Sequence, residues 1–241
     1  MKQRLILMIS AGVLSILLMA AGPIRGGEMV TCEDGEEFMV DDKGVIESTI
    51  PVINNEKIVV DSRSFRLTYY RNGQIIKSYP VAVGTKKTPS PIGEWKIIHK
   101  GGSWGGGFGA RWLGINVPWG IYGIHGTNKP RSIGYNSSHG CIRMFNQHVT
   151  ELYKMVKVGT PVYILGNPAQ VPLRSEFRVK STGQDVLLLQ FALRNAGFDP
   201  GMADARFGIG TEIAVCRLQA YYGLAVTGKA ASNEFYLLGL R

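Results

Sequence analysis

The stretch Ser138-His139-Gly140-Cys141-Ile142-Arg143-Met144, preceded by His125-Gly126-Thr127-Asn128, holds the residue types in this chain that could do chemistry. A cysteine thiol has an ordinary pKa of about 8.5, so at neutral pH it is mostly protonated until a neighbouring imidazole takes its proton. His125 and His139 are the candidate bases. In an extended segment His139 and Cys141, two residues apart, point to one face. His125 closes an apolar run and reaches the thiol only if the fold brings that run across. Gly140 removes a side chain beside the thiol, which lets a carbonyl approach and leaves backbone N–H groups to hold an oxyanion. Two other readings stay open at this point. One is a buried structural thiol; the other is a zinc site from His125, His139, Cys141 and His148, whose positions match no familiar ligand spacing.

The elements that must position these residues read as strands. Lys57 to Val60, Phe65 to Tyr70, Tyr79 to Val83, Glu94 to His99, Ile121 to His125 and Pro161 to Leu165 are β-branched or aromatic runs between glycine and proline clusters. Asn72-Gly73 before Gln74-Ile75-Ile76 predicts a type I′ hairpin. Within this β-rich part only Asn146 to Val156 has helical periodicity, with Asn146 as N-cap and Val149, Leu152, Tyr153 and Val156 on one face. Trp104, Phe108, Trp112 and Trp119 border the glycine-rich stretch Gly101 to Gly109. They read either as an aromatic rim over a cleft or as an ordinary loop with core aromatics. No Gly-Lys-Ser/Thr follows, which argues against a phosphate loop.

Beyond residue 166 the pattern changes. Residues 167–180 are proline-rich and polar and read as a linker. After it, Asp185 and Thr211 are candidate caps of two helices closed by Gly197 and Gly223, and Ser232 begins a short third. Such a module of about 60 residues is only marginally able to fold alone.

Taken together, His125-Gly126-Thr127-Asn128, Pro130, Ser132-Ile133-Gly134 and Ser138 to Met144 resemble the active-site signature of the YkuD-type L,D-transpeptidase catalytic domain. The likeness covers about Lys57 to Gly166 and includes Thr88-Pro89 and Ile92-Gly93. It implies a mostly β fold and a thioester between cysteine and the third residue of a peptidoglycan tetrapeptide stem, with release of D-Ala. It further implies Cys141 as nucleophile, His125 as base and later acid, and the Gly126 carbonyl as the group that orients the imidazole. The N–H groups of Gly140 and Cys141 would hold the oxyanion. Ser138, His139 and Arg143 would shape the site, Arg143 either pairing with a substrate carboxylate or bracing the loop. No cofactor or metal is implied. Transfer to an acceptor amine would cross-link the wall; hydrolysis at the same thioester, or a non-catalytic wall-binding scaffold, are the alternatives.

The C-terminal segment resembles a small all-α, three-helix peptidoglycan-binding domain through Asp185-Val186, Leu189-Gln190, Phe207-Gly208, Gln219 and Gly223-Leu224. It departs at Asp204-Ala205-Arg206 and at Leu218, where the family often has Asp-Gly and an aromatic. Cys216 reads there as a small core residue. The expected organisation is therefore a signal peptide or N-terminal anchor (1–22), an acidic segment (23–56), a catalytic domain (57–166), a linker (167–180) and a peptidoglycan-binding domain (181–241).

The N-terminus reads as that of an exported chain, and the charge and cysteines are read in that setting. Lys2 and Arg4 precede an uncharged apolar run from Leu5 to about Gly22. That is an export signal, either cleaved or kept as a membrane anchor. The net charge of +9 is uneven: residues 28–50 carry eight acids and one base, residues 51–180 carry 18 bases and five acids, and residues 181–241 balance at five each. Outside the cytoplasm a basic surface meets an anionic wall polymer or lipid headgroup rather than nucleic acid, if it does more than solubilise. The expected partners are peptidoglycan stem peptides and glycan. Cys32, Cys141 and Cys216 cannot all pair, so at least one thiol is free.

Overall fold

The computed structural model describes residues 28–31, 37–40, 56–103 and 105–241. The export segment, Cys32 and Trp104 lie outside the described residues. Two compact units divide at residue 49. In the first, β1 (Glu28–Thr31) and β2 (Glu37–Val40) pair antiparallel, Glu28 opposite Val40.

The second unit is built on an eight-stranded mixed sheet. Its strands are β3 (Glu56–Asp61), β4 (Arg66–Arg71), β5 (Gln74–Pro80), β7 (Gly93–Gly101), β8 (Trp112–Ile115), β9 (Tyr122–His125), β11 (Ile142–Arg143) and β12 (Pro161–Leu165). They lie in the order β11-β9-β8-β7-β12-β3-β4-β5. Two short strands, β6 (Val83–Gly84) and β10 (Asn136–Ser138), pair beside it. The predicted hairpin is present: Asn72 and Gly73 take φ of 52° and 76° between β4 and β5, with Arg71 opposite Gln74. Alternation sets the core, since Ile58 and Val60, Leu67 and Tyr69, Trp95 and Ile97, and Val162 and Ile164 point inward and are buried. Helix α1 (Asn146–Met155) covers it with Val149 and Leu152. Lys100 Nζ donates to the carbonyls of Tyr153 and Val156 at 2.7 and 2.6 Å, placing a cation at the end of α1 where unpaired carbonyls gather.

Strands β8 and β11 are absent from the sequence expectation. All four residues of β8 are buried and β11 has only two residues, so neither shows the polar/apolar alternation that marks a half-exposed strand. Asn146 is the first helical residue rather than the N-cap, because its Oδ1 accepts from the Ala110 N–H at 3.0 Å instead of from its own helix.

The C-terminal helices are α2 (Gln184–Asn195), α3 (Ile209–Tyr221) and α4 (Ser232–Leu237). They bury Phe177, Leu189, Leu193, Phe207, Leu218 and Phe235 together. Two buried glutamines fix the connecting loops. Gln190 accepts from the Ala205 N–H at 2.8 Å and donates to the Arg206 carbonyl at 3.0 Å, while Gln219 accepts from the N–H groups of Thr227 and Gly228 and donates to the Lys229 carbonyl. Gly197 and Gly223 close α2 and α3 with φ of 91° and 69°, as expected. The two candidate caps differ from expectation. Asp185 lies inside α2 and pairs with Arg174 at 2.7 Å, and Thr211 lies inside α3 hydrogen-bonded to Gln190. Cys216 is fully buried on α3 and disulfide-bonded, so it is more than a small core residue.

Helix α2 packs on the β-rich part. Leu187, Ala203 and Ala205 belong to the same buried cluster as Ile92 and Trp95. Arg194 grips Glu94 with two hydrogen bonds of 2.6 and 3.1 Å, and the Ala203 N–H reaches Glu94 Oε2 at 2.9 Å. In the stretch 167–180, Phe177 is fully buried and exchanges two backbone hydrogen bonds with Ala230.

Candidate active site

His125 ends β9, and Cys141 immediately precedes β11, its parallel neighbour, where Ile142 lies opposite Ile124 and Arg143 opposite His125. The fold thus brings across the run that His125 closes. Gly123 and His125 share one face of β9, and the Gly123 backbone favours the Cys141 thiolate. Absence of a side chain at Gly123 is required for a second reason. A Cβ there would meet the Trp112 ring at 2.6 Å, and one at Gly114 would meet Trp112 Nε1 at 2.9 Å. The two glycines therefore carve the slot in which Trp112 stacks on His125, rings 5.6 Å apart and 25° from parallel. Phe108 closes over the same imidazole at 5.2 Å.

The environment decides the tautomer and charge of the pair. His125 Nδ1 lies 2.5 Å from the Gly126 carbonyl oxygen, which can only accept, so Nδ1 carries the proton and neutral Nε2 keeps its lone pair. Burial holds the His125 pKa below its ordinary 6.5; the Gly126 carbonyl opposes this, the Arg143 charge adds to it, and the Phe108 backbone opposes it again. Burial pushes the Cys141 thiol up, against smaller lowering effects of the Gly123 backbone and Arg143. At neutral pH the resting pair is an uncharged imidazole beside a protonated thiol. Cys141 is a free cysteine and half-buried.

The turn that presents the thiol is held by its own residues. Ser138, buried, donates to the Cys141 carbonyl at 2.6 Å and accepts from the Gly140 N–H at 3.0 Å. The Gly140 N–H, expected to help hold an oxyanion, is thus directed at Ser138 Oγ. The Cys141 N–H has no hydrogen-bond partner among the described residues. Gly140 takes φ of 114°, and a Cβ on it would lie 2.7 Å from the Tyr122 ring and 3.2 Å from the Pro89 carbonyl oxygen. Arg143 exchanges backbone bonds of 2.9 Å with Ala82 and donates from Nη1 to the Ser137 carbonyl at 3.1 Å, so it braces this turn. His139 is exposed, and His148 sits against Tyr79 and Phe145, away from the pair. Among the described residues no three His, Cys, Asp or Glu side chains are grouped to hold a metal ion. Phe108 and Trp112, two of the aromatics read as either a cleft rim or core, pack on His125, whereas Tyr122, Gly123 and Asn146 were not legible as site residues; the sequence signal for their slot is the pair Gly114 and Gly123 inside otherwise apolar runs.

The pattern of the L,D-transpeptidase catalytic domain family, YkuD, matches residues 55–164. A Bacillus licheniformis protein named as the L,D-transpeptidase YkuD is 43% identical over 120 residues, which cover 48% of this chain and 72% of the relative. This chain belongs to the YkuD L,D-transpeptidase family. A Bacillus subtilis protein of the same name is 47% identical over 107 residues, 44% of this chain and 64% of that protein. Among solved structures, the catalytic domain of an Enterococcus faecium L,D-transpeptidase is similar at 26% identity and a TM-score of 0.41, covering 47% of this chain and 99% of that domain. Residues 182–234 match a family described as a peptidoglycan binding domain. This chain is thus an L,D-transpeptidase enzyme with a peptidoglycan-binding module, and its work lies in the cell envelope.

Proposed function

We propose that the chain forms a thioester between Cys141 and the third residue of a peptidoglycan tetrapeptide stem, releases D-Ala, and passes the stem to an acceptor amine. The observation that carries this reading is the anchored tautomer of His125 on the strand beside Cys141: Nδ1 is committed to the Gly126 carbonyl, so Nε2 is the available base. As Sγ attacks the carbonyl carbon, its proton goes to Nε2. The Cys141 N–H receives the developing oxyanion. Collapse expels the D-Ala amine, which takes the proton from the imidazolium. The acceptor amine then attacks the thioester, gives its proton to Nε2, and the thiolate leaves and is reprotonated. Ser138 and Arg143 hold the turn, Gly140 admits the substrate, and exposed His139 is a substrate contact at the rim.

The domain division proposed is that of the sequence: an exported N-terminus ending near residue 22, an acidic segment to 56, a catalytic domain over 57–166 and a wall-binding module over 181–241. Incubation of the protein with a defined tetrapeptide stem and an acceptor, with mass analysis of the products, tests the reaction. A cross-linked product with loss of D-Ala supports transfer. A tripeptide alone would show that water, not an amine, resolves the thioester.

A further inference from the structure

The helical module presents a cluster of large side chains that its own fold does not cover. Tyr221, Tyr222 and Tyr236 are 76%, 47% and 77% exposed, although an aromatic side chain left in water forgoes its burial energy. Tyr222 and Tyr236, with Leu224, Leu237 and Asn233, line a cavity of about 240 Å³ between the end of α3 and α4. Tyr221 stands edge-on to Tyr222 at 5.0 Å and to Phe198 at 5.9 Å, so the aromatic surface continues past the cavity. No lining residue carries a charge, and Asn233 supplies both an amide donor and an acceptor.

We infer that this groove binds the glycan strand of peptidoglycan, a chain of neutral N-acetylated sugars, rather than its stem peptide. Sugar rings present apolar C–H faces that stack on tyrosine, and their hydroxyl and acetamido groups need neutral hydrogen-bonding partners such as Asn233. Stem peptides carry carboxylates, for which an uncharged lining offers no counter-charge, whereas the catalytic part, with 18 bases and five acids over residues 51–180, offers many. The two chemical components of the wall would thus be read by different parts of one chain. This inference rests on the wall-binding reading of residues 181–241.

The test uses the full chain and three probes: wall sacculi, glycan strands stripped of their stems with the freed lactyl carboxylates converted to amides so that the sugars stay neutral, and a free tetrapeptide stem. Tyr222→Ala/Tyr236→Ala should bind stripped glycan about tenfold more weakly or worse, whereas Tyr222→Phe/Tyr236→Phe, which keeps the rings, should bind nearly as the parent does. Acylation of Cys141 by the stem, unchanged in all variants, reports that the molecule is folded. Equal glycan binding by the alanine variant overturns the groove assignment. If the parent chain binds sacculi but not stripped glycan, the glycan inference fails while wall binding stands; if it binds neither, both fail.

Discussion

At the scale of single residues, the account turns on two neutral groups made reactive by position. Because burial lowers the His125 pKa, the imidazole is the free base throughout the neutral range and is lost only when protonated. The rate of acylation per unit substrate should therefore fall as pH drops through a midpoint below 6.5 and stay level across neutrality; a midpoint at or above 6.5 would mean that the buried imidazole is not the base. Substituting His125→Ala should slow acylation by at least roughly a hundredfold while circular dichroism shows the fold retained. Gly140 has no room for a side chain, being at positive φ and against both Tyr122 and Pro89. The variant Gly140→Ala should cost about 1–3 kcal/mol in a denaturant melt and slow acylation as the turn shifts. The nucleophile and its base were legible in the sequence because their types and neighbours form a motif. The commitment of the Gly140 N–H to Ser138 was not, since it depends on how a four-residue turn closes.

Among the elements, long amphipathic segments and glycine-marked turns were readable, while strands without alternation were not. Helix α1 was found from its spacing, but its first residue serves another element: Asn146 Oδ1 holds the Ala110 N–H and occupies the space where a Cβ on Gly109 or Gly126 would sit. Only the folded arrangement reveals a side chain that leaves its own helix to tie down a loop. That loop carries Phe108 onto His125, so loosening it should wet the imidazole. We expect Asn146→Ala to destabilise the protein by about 0.5–2 kcal/mol and to move the acid midpoint of acylation upward toward 6.5. An unshifted pH profile would separate the loop from the chemistry.

Over the whole molecule, the change from strand to helix periodicity revealed two kinds of structure but not their packing, which rests on contacts between residues about a hundred apart. Glu94 and Arg194 illustrate this: nothing in their local sequence links them, yet together they form a two-pronged ion pair where α2 meets the sheet. A fragment ending at Leu165 should still be acylated at Cys141, but it should melt several degrees lower because Ile92 and Glu94 lose their cover. An unchanged melting temperature would show that the contact contributes nothing. The basic excess over 51–180 should make wall affinity of that fragment salt-sensitive, with most of it lost between 0.1 and 1 M salt as the screening length shrinks from about 10 Å to about 3 Å. Sedimentation with sacculi at the two salt levels measures it.

The claim on which everything else depends is that Cys141 carries the acyl group. Cys141 is a free thiol, whereas Cys216 is disulfide-bonded, so a covalent adduct can be assigned by intact mass and peptide mapping. Incubated with a tetrapeptide stem, the protein should gain the mass of the stem less D-Ala, located on the peptide containing Cys141, and Cys141→Ala should gain nothing. An adduct of the same mass persisting in Cys141→Ala would contradict the account.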